Sequence, residues 1–219
     1  MTWDPFGTLG NALWIGGGQW AGKSTVANLL AHRHGLTAYH YDYADARGRE
    51  DRRIARAVRA GTTFARDFEA MFVTGPPERM AADVLADFAA GFEWVLDDLR
   101  ALVSGRPILA EGYGLRPELV VPAVAPPGRM VVMVPTPEFQ LRQARELPRA
   151  GAISAPTSDP ERAQRNRLAR DRLLAQDAAR SARALGVPVI EVDGERSVEQ
   201  IADEVAKLFG PWLPALDGP

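Results

Sequence analysis

The sequence predicts a parallel α/β fold, on three observations. Short apolar runs alternate with longer stretches of helical periodicity along the 219 residues, the pattern of a parallel sheet whose strands are joined by helices. A glycine-rich segment follows the first apolar run, where such a fold turns from strand to helix. Carboxylates follow the second and third runs, at the sheet edge where open α/β folds bind ligands.

The first strand is predicted at Ala12–Ile15 and leads into a glycine-rich loop. Its residues 17–24 read Gly, four variable residues, then Gly-Lys-Ser, the P-loop pattern of phosphate binding. Glycines let backbone N–H groups turn inward around phosphates, Lys23 reaches the β- and γ-phosphates, and Ser24 offers its hydroxyl to Mg²⁺. The residues predicted to bind ATP here are Gly17, Gly18, Gln19, Trp20, Ala21, Gly22, Lys23, Ser24 and Thr25.

The alternative is a glycine-rich turn that binds nothing. Lysine usage argues against it, because the chain has only Lys23 and Lys207 beside 24 arginines. Arginine is the basic residue at almost every other cationic position of the chain, so a lysine at the P-loop position favours a phosphate-binding role. The helix after the loop is predicted to end at Gly35 and to point its positive end at the phosphates.

The second strand is predicted at Leu36–Tyr41, and Asp42 follows it directly. Asp42 is predicted to be the general base for an acceptor hydroxyl, or a ligand to Mg²⁺ through water. Asp45 is the second candidate for the base, and a turn or helix-capping role is the alternative for either. His40, inside the strand, is interpreted as structural.

Residues 46–104 are predicted to be largely helical, and they exceed what a crossover between strands requires. We therefore expect part of this insertion to cover an acceptor pocket. Its many arginines could bind an anionic acceptor. The favoured interpretation is a solvated helix face paired with Glu50 and Asp51.

The third and fourth strands are predicted at Pro107–Ala110 and Met130–Val134. Glu111 ends the third strand. An apolar run before an acid resembles a Walker B strand, whose carboxylate holds the hydration shell of Mg²⁺. The metal-binding prediction is therefore Ser24 with Asp42 or Glu111.

Residues 138–184 are predicted to form a helical lid, two helices separated by Pro148 and a loop of small residues. The second helix is predicted to begin with a capping box at Ser158. Arg162, Asn166 and Arg170 share one face of it. Arg162 and Arg170 are expected to contact the nucleotide and Arg170 to be catalytic, by neutralising charge on the γ-phosphoryl group. The alternative is an arginine-rich helix that serves only solubility.

The fifth strand is predicted at Val187–Val192 and a closing helix at Ser197–Leu208. Asp193 and Gly194, in the turn between them, lie where such sheets place the nucleotide base. The formal net charge is −2, cysteine is absent and no apolar run reaches the length of a membrane span. We therefore expect a single cytoplasmic domain over residues 1–219, with neither nucleic acid nor membrane as a partner, as a monomer or homodimer.

These motifs resemble the P-loop small-molecule kinases of the nucleoside-monophosphate-kinase-like group, which includes shikimate and gluconate kinases and chloramphenicol phosphotransferase. The residues that carry the resemblance are Gly17–Thr25, Asp42, Glu111-Gly112, the segment Asn166–Asp171 and Val192-Asp193-Gly194. It implies a five-stranded parallel sheet ordered 2-3-1-4-5, with helices on both faces and a lid. The chain is also similar to uncharacterised bacterial ATP-binding proteins.

The expected function is transfer of the γ-phosphoryl group of ATP to a hydroxyl of a small molecule. A nucleoside or nucleotide kinase is the first alternative, although the chain lacks the Asp-Gly-Phe-Pro-Arg-like stretch of adenylate kinases. A regulatory nucleotide-binding module without small-molecule transfer is the second. The sequence favours neither ATP over GTP nor any one acceptor.

Overall fold

The computed structural model describes residues 3–102, 104–123, 126–147 and 150–214. It contains five strands, β1 (Leu13–Gly17), β2 (Thr37–His40), β3 (Ile108–Glu111), β4 (Met130–Pro135) and β5 (Val189–Val192). All are parallel and form one sheet in the order β2-β3-β1-β4-β5. The predicted sheet is therefore confirmed in strand number, direction and order.

Helices connect the strands, as parallel neighbours require. They are α1 (Lys23–His34), α2 (Tyr41–Gly48), α3 (Glu50–Arg59), α4 (Pro77–Ala101), α5 (Pro117–Ala123), α6 (Pro137–Glu146), α7 (Pro160–Ala184) and α8 (Val198–Phe209). A π-helix spans Ala70–Thr74, and 3₁₀ turns span Pro127–Arg129 and Gly210–Trp212. Within the described part of the chain, no helix is both long and apolar enough to cross a bilayer.

The side chains of β1 alternate between two hydrophobic cores, one on each face of the sheet. Leu13 and Ile15 face α1 and α8, whereas Trp14 faces the other side of the sheet, where α4, α5 and α7 pack. Successive strand residues point to opposite faces, so a fully buried strand feeds both layers. This explains why β1 is apolar throughout rather than alternating.

Strand register brings the predicted site residues together. Glu111 pairs in register with Ile15 on one side and with His40 on the other. The P-loop follows β1 and Asp42 follows β2, so Glu111 lies between them at the carboxyl edge of the sheet. The edge of β3 thus joins two segments that are far apart in sequence.

The second strand and the start of α7 differ from their predictions. The second strand, predicted at Leu36–Tyr41, spans only Thr37–His40. Helix α2 begins at Tyr41, so Asp42 lies in the first turn of a helix. The N-cap of α7 is Asp159, whose carboxylate accepts from the Arg162 backbone N–H, and not Ser158. Ser158 instead donates its hydroxyl and backbone N–H to Glu69. Pro148, the predicted break in the lid, lies outside the described residues.

The insertion between β2 and β3 is helical, as predicted, and many of its arginines are paired with acids. Arg53 and Arg66 both contact Glu50. Arg49 is buried, with its guanidinium on Asp98 and over the Tyr41 ring. The pairs with Glu50 favour the predicted paired helix face over an anion site, whereas Arg49 is buried on Asp98 rather than solvated.

The contact between β1 and the segment after β3 leaves no space for a side chain at Gly16. A Cβ there would lie 2.2 Å from the Leu115 carbonyl oxygen. Because a backbone carbonyl cannot swing aside, we expect Gly16→Ala to lower the free energy of unfolding by about 2 kcal/mol and the Tm by about 6 °C. Urea and thermal unfolding measure both quantities.

The matched control is Gly48→Ala. A Cβ at Gly48, the last residue of α2, meets nothing within 4 Å. Alanine is the better helix former, so this variant should be as stable as the wild type or slightly more so. Equal losses in the two variants would contradict the steric explanation.

Candidate active site

The P-loop connects the carboxyl end of β1 to α1. Gly17 has φ 117°, and a Cβ there would lie 2.1 Å from the Met133 carbonyl oxygen; Gly22 has φ 73° and immediately precedes α1. The Gly18 N–H donates to Met133 O at 2.9 Å. The loop is therefore anchored on β4 at one end and on α1 at the other, and the N-terminus of α1 opens into it.

Lys23 spans this loop. Its Nζ donates to the Gly18 carbonyl at 2.6 Å, and only 6% of the residue is exposed. Burial lowers the pKa of Lys23, and the carboxylates of Asp42, Glu111 and Asp171 act in the opposite direction. The ends of β2 and β3 and one face of α7 thus surround the same ammonium group.

Glu111 and Ser24 form the candidate magnesium site. The Ser24 hydroxyl donates to Glu111 Oε1 at 3.0 Å, and His40 Nδ1 lies 2.7 Å from the same oxygen. Glu111 is 1% exposed, and its other oxygen, Oε2, has no hydrogen-bond partner among the described residues. An unpartnered buried carboxylate oxygen beside a hydroxyl fits the oxygen ligands of Mg²⁺.

The described residues by themselves do not form a metal cage. The described part of the chain contains no group of three or more His, Asp or Glu side chains placed to hold an ion. In P-loop proteins Mg²⁺ keeps waters and takes further ligands from the nucleotide phosphates. Ser24 and Glu111 would supply the protein's share, with Asp42 nearby.

We expect Glu111→Gln to raise the Mg²⁺ concentration for half-maximal ATP turnover about tenfold. The amide keeps the shape and can still accept from Ser24, but it lacks the negative charge that the ion requires. A magnesium titration at fixed ATP measures this. Glu118→Gln, on the surface of α5, is the control. An unchanged magnesium requirement in Glu111→Gln would remove Glu111 from the site.

Asp42 lies in the first turn of α2 and is exposed to solvent, and its carboxyl interacts with the charges of Lys23 and Glu111. Desolvation raises the pKa of its carboxyl to about 6; Lys23 opposes the shift, and Glu111 and Asp45 reinforce it. The Tyr113 backbone N–H donates to the carboxylate. A carboxylate with a pKa near neutrality suits a general base.

Asp45 has different surroundings. Its Oδ1 lies 2.5 Å from Arg53 Nη2, and Arg49 is 4.0 Å away. A carboxylate oxygen already held by guanidinium groups is less free to contact an acceptor hydroxyl. Of the two predicted base candidates, the geometry favours Asp42.

The N-terminal half of α7 places two guanidinium groups near the P-loop. Arg170 donates through Nε (3.0 Å) and Nη2 (2.6 Å) to Asp171 Oδ1. Arg167 lies over the Trp20 ring at 5.1 Å and donates to the Ala150 carbonyl. Burial lowers the pKa of Arg167, with Asp171 acting against it. Arg167 is therefore a buried cation that the described residues provide with no direct carboxylate contact.

The predicted lid face of α7 is only partly directed at the P-loop. Asn166 donates to the Phe72 carbonyl, and Arg170 lies over the Phe72 ring at 5.2 Å, so both contact the π-helix. Arg162 is exposed on the first turn. Asp171 and Arg167, beside Trp20, were missing from the predicted site. Helical spacing predicts which residues share a face, but not which face meets the loop.

The turn after β5 meets α6 at the same edge of the sheet. Arg142 Nη2 donates to the Asp193 carbonyl at 3.2 Å, and its guanidinium lies 5.0 Å above the Phe139 ring. Gly194 has φ 83°, and a Cβ there would lie 1.7 Å from Arg142 Nη2. Arg142 was not among the predicted site residues. Its guanidinium fills the space beside the Asp193-Gly194 turn, which the sequence predicted to lie near the nucleotide base.

The structure combines three features: a P-loop between the first strand and the first helix, a parallel sheet with the order 2-3-1-4-5, and helices on both faces of that sheet. This arrangement is the P-loop NTPase fold that the sequence predicted, with the strand order 2-3-1-4-5. No protein-family model matches the chain. No curated protein matches it by sequence.

Solved structures with a similar course of the chain include three kinases. One is a gluconokinase from Sinorhizobium meliloti 1021, with 14% identity, 94% of both chains covered and a TM-score of 0.42. Another is a shikimate kinase from Acinetobacter baumannii in complex with shikimate, with 16% identity, 93% of this chain and 96% of that chain covered, and a TM-score of 0.45. The third is a shikimate kinase from Aquifex aeolicus vf5, with 17% identity, 94% of this chain and 98% of that chain covered, and a TM-score of 0.37. At such identities the fold assignment stands on the strand order and the loop geometry.

Proposed function

We propose that this protein transfers the γ-phosphoryl group of ATP to a hydroxyl of a small molecule. The observation that carries the proposal is the convergence at one edge of the sheet of Lys23, the Ser24–Glu111 pair and Asp42. Each of these has a separate task in phosphoryl transfer, and the three tasks need side chains within a few ångströms of one ATP tail.

The loop and Lys23 bind the phosphates. Backbone N–H groups of residues 17–25 and the N-terminus of α1 contribute donors and positive potential. Lys23 would exchange its bond to Gly18 O for the β- and γ-phosphate oxygens. Ser24 and Glu111, with Asp42 through water, would hold Mg²⁺, which supplies charge stabilisation to those oxygens.

Asp42 acts on the acceptor. Its carboxylate takes the hydroxyl proton while the hydroxyl oxygen bonds to the γ-phosphorus. The bond from the γ-phosphorus to the bridging oxygen breaks, and its electron pair leaves with ADP. The products are a phosphate monoester and ADP. Because Asp42 is exposed to solvent, its proton can pass to water before the next turnover.

Arginines of α7 stabilise the charge that develops on the transferred group. Arg170 is the sequence-derived candidate, and the contact geometry adds Arg167, since Arg170 is already paired with Asp171. Both are buried beside the loop, where a guanidinium interacts more strongly than in water. Arg162, on the exposed first turn, is the proposed outer contact to the nucleotide.

The proposal is tested with purified protein in two steps. Mg·ATP binding is first measured by calorimetry. ADP release is then followed with panels of neutral sugars, sugar acids, aminoglycoside-type and phenicol-type alcohols, nucleosides and nucleoside monophosphates. Transfer to a non-nucleotide hydroxyl supports the proposal. Transfer confined to nucleosides or nucleotides supports the nucleotide-kinase alternative, and ATP binding with no transfer to any panel supports the regulatory one.

A further inference from the structure

Trp20 has an unusual backbone conformation for its size. Among the described residues it is the non-glycine residue with positive φ, at 72°. It occupies the third variable position of the P-loop, where glycine would adopt this conformation freely. For a large side chain the left-handed region costs roughly 1–2 kcal/mol. Such strain persists where neighbouring contacts hold it, often at functional positions.

The contacts that hold Trp20 come from α7. Its Nε1–H donates to Asp171 Oδ2 at 3.0 Å, and the Arg167 guanidinium lies over its ring at 5.1 Å. The other oxygen of Asp171 accepts both bonds from Arg170. The Asp171 side chain is 0% exposed. One buried carboxylate therefore joins the indole to Arg170, while the indole ring supports Arg167.

Close packing between the loop and α7 does not depend on the indole. Gly18 already brings the loop against α7, since a Cβ on Gly18 would lie 2.7 Å from the Ala175 Cβ. Trp20 itself remains partly exposed. What Trp20 adds is one hydrogen-bond donor and one aromatic face, and both are directed at the charged groups of α7.

We propose that Trp20 is a positioning residue that holds Arg167 and Arg170 against the P-loop at the place of the γ-phosphoryl group. Because the loop carries the anchor itself, the two guanidinium groups are already in place when the triphosphate binds. This inference rests on the proposed function. It assigns to the Trp20 side chain an effect on the γ-phosphoryl group and none on the α- and β-phosphates, which the loop backbone binds.

The test compares wild type with Trp20→Phe, which keeps a ring under Arg167 and removes the donor to Asp171. We expect the affinity for Mg·ADP to stay within about twofold and the preference for Mg·ATP over Mg·ADP to fall about fivefold. With the acceptor found in the screen, kcat should fall about tenfold or more. Calorimetry and steady-state kinetics measure these quantities.

Trp212→Phe is the matched control. Trp212 also carries an arginine on its ring, with Arg129 at 4.2 Å, but it lies by the residues that precede β3 and β4, at the far end of the sheet. This variant should match wild type in every measurement. Asp171→Asn, which weakens the link to Arg170, should reproduce the Trp20→Phe effects. The double variant should lose little more than the worse single one.

Three results would overturn the inference. Retention of wild-type ATP preference and kcat in Trp20→Phe would show that the indole N–H positions nothing. Parallel loss of Mg·ADP and Mg·ATP affinity would show a distorted loop. Additive losses in the double variant would show two independent contacts. Failure of wild type to bind Mg·ATP is a different outcome, because it removes the proposed function as well.

Discussion

Lys23→Ala should reduce phosphoryl transfer about 10³-fold and weaken Mg·ATP binding by at least about tenfold. The ammonium group is buried within the loop and bonded to Gly18 O, so it is already oriented before the phosphates arrive. Alanine removes the cation from a place where water cannot replace it fully. Calorimetry with Mg·ATP and an ADP-release assay give the two numbers.

The other lysine of the chain provides the control. Lys207 is exposed in the last turn of α8, away from the loop. Lys207→Ala removes the same formal charge and should leave binding and transfer within about twofold of wild type, as surface substitutions do. If Lys23→Ala binds Mg·ATP as tightly as Lys207→Ala, the loop does not bind a triphosphate and the proposed kinase function fails.

Much of the architecture could be predicted from sequence because its signals are local. The apolar runs at Leu13 and Met130, the glycines around Lys23 and the acid at Glu111 each carry information within a few residues. The order of the strands came from resemblance rather than from these runs. Given that order, parallel strands bring their carboxyl ends to one edge, so Lys23, Asp42 and Glu111 could be placed together.

The α7 side of the site could not be predicted in the same way. Trp20 and Asp171 are separated by 151 positions, and nothing near either residue indicates their hydrogen bond. Helical spacing grouped Arg162 with Arg170, but the rotation of α7 about its axis is set by packing of Ala175, Ala178 and Ala182 on the sheet. That rotation turns Arg167 toward the loop and leaves Arg162 in solvent.

Asp42→Asn should lower kcat about 100-fold or more, the usual contribution of a positioned general base. In wild type, kcat/KM should decline as the pH falls through about 6, because the carboxyl whose pKa is raised to about 6 must be ionised to accept a proton. The asparagine variant should lack this decline. A pH profile from 5 to 8 with the acceptor found in the screen distinguishes the two proteins.

Asp42→Asn should raise the stability of the folded protein although it lowers kcat. The carboxyl pKa is raised in the folded protein above its ordinary value of 3.8, so the folded state holds the proton more tightly than the unfolded one. The ionised group is therefore unfavourable for folding, increasingly so as the pH rises from about 4 to about 6. Asp42→Asn should accordingly have a higher Tm than wild type at pH 7, and the difference should disappear in acid.

Asp45→Asn separates a base from a structural carboxylate. Asp45 holds Arg53, so its loss should cost some stability without removing the acid limb of the pH profile. A large loss of kcat in Asp45→Asn together with near-normal transfer by Asp42→Asn would assign the base to Asp45. A catalytic carboxylate held at a cost in stability predicts three results for Asp42→Asn alone: lost activity, a flat acid limb of the pH profile and a gain in stability. A carboxylate that merely caps a helix would stabilise the fold, so its replacement would lower the stability.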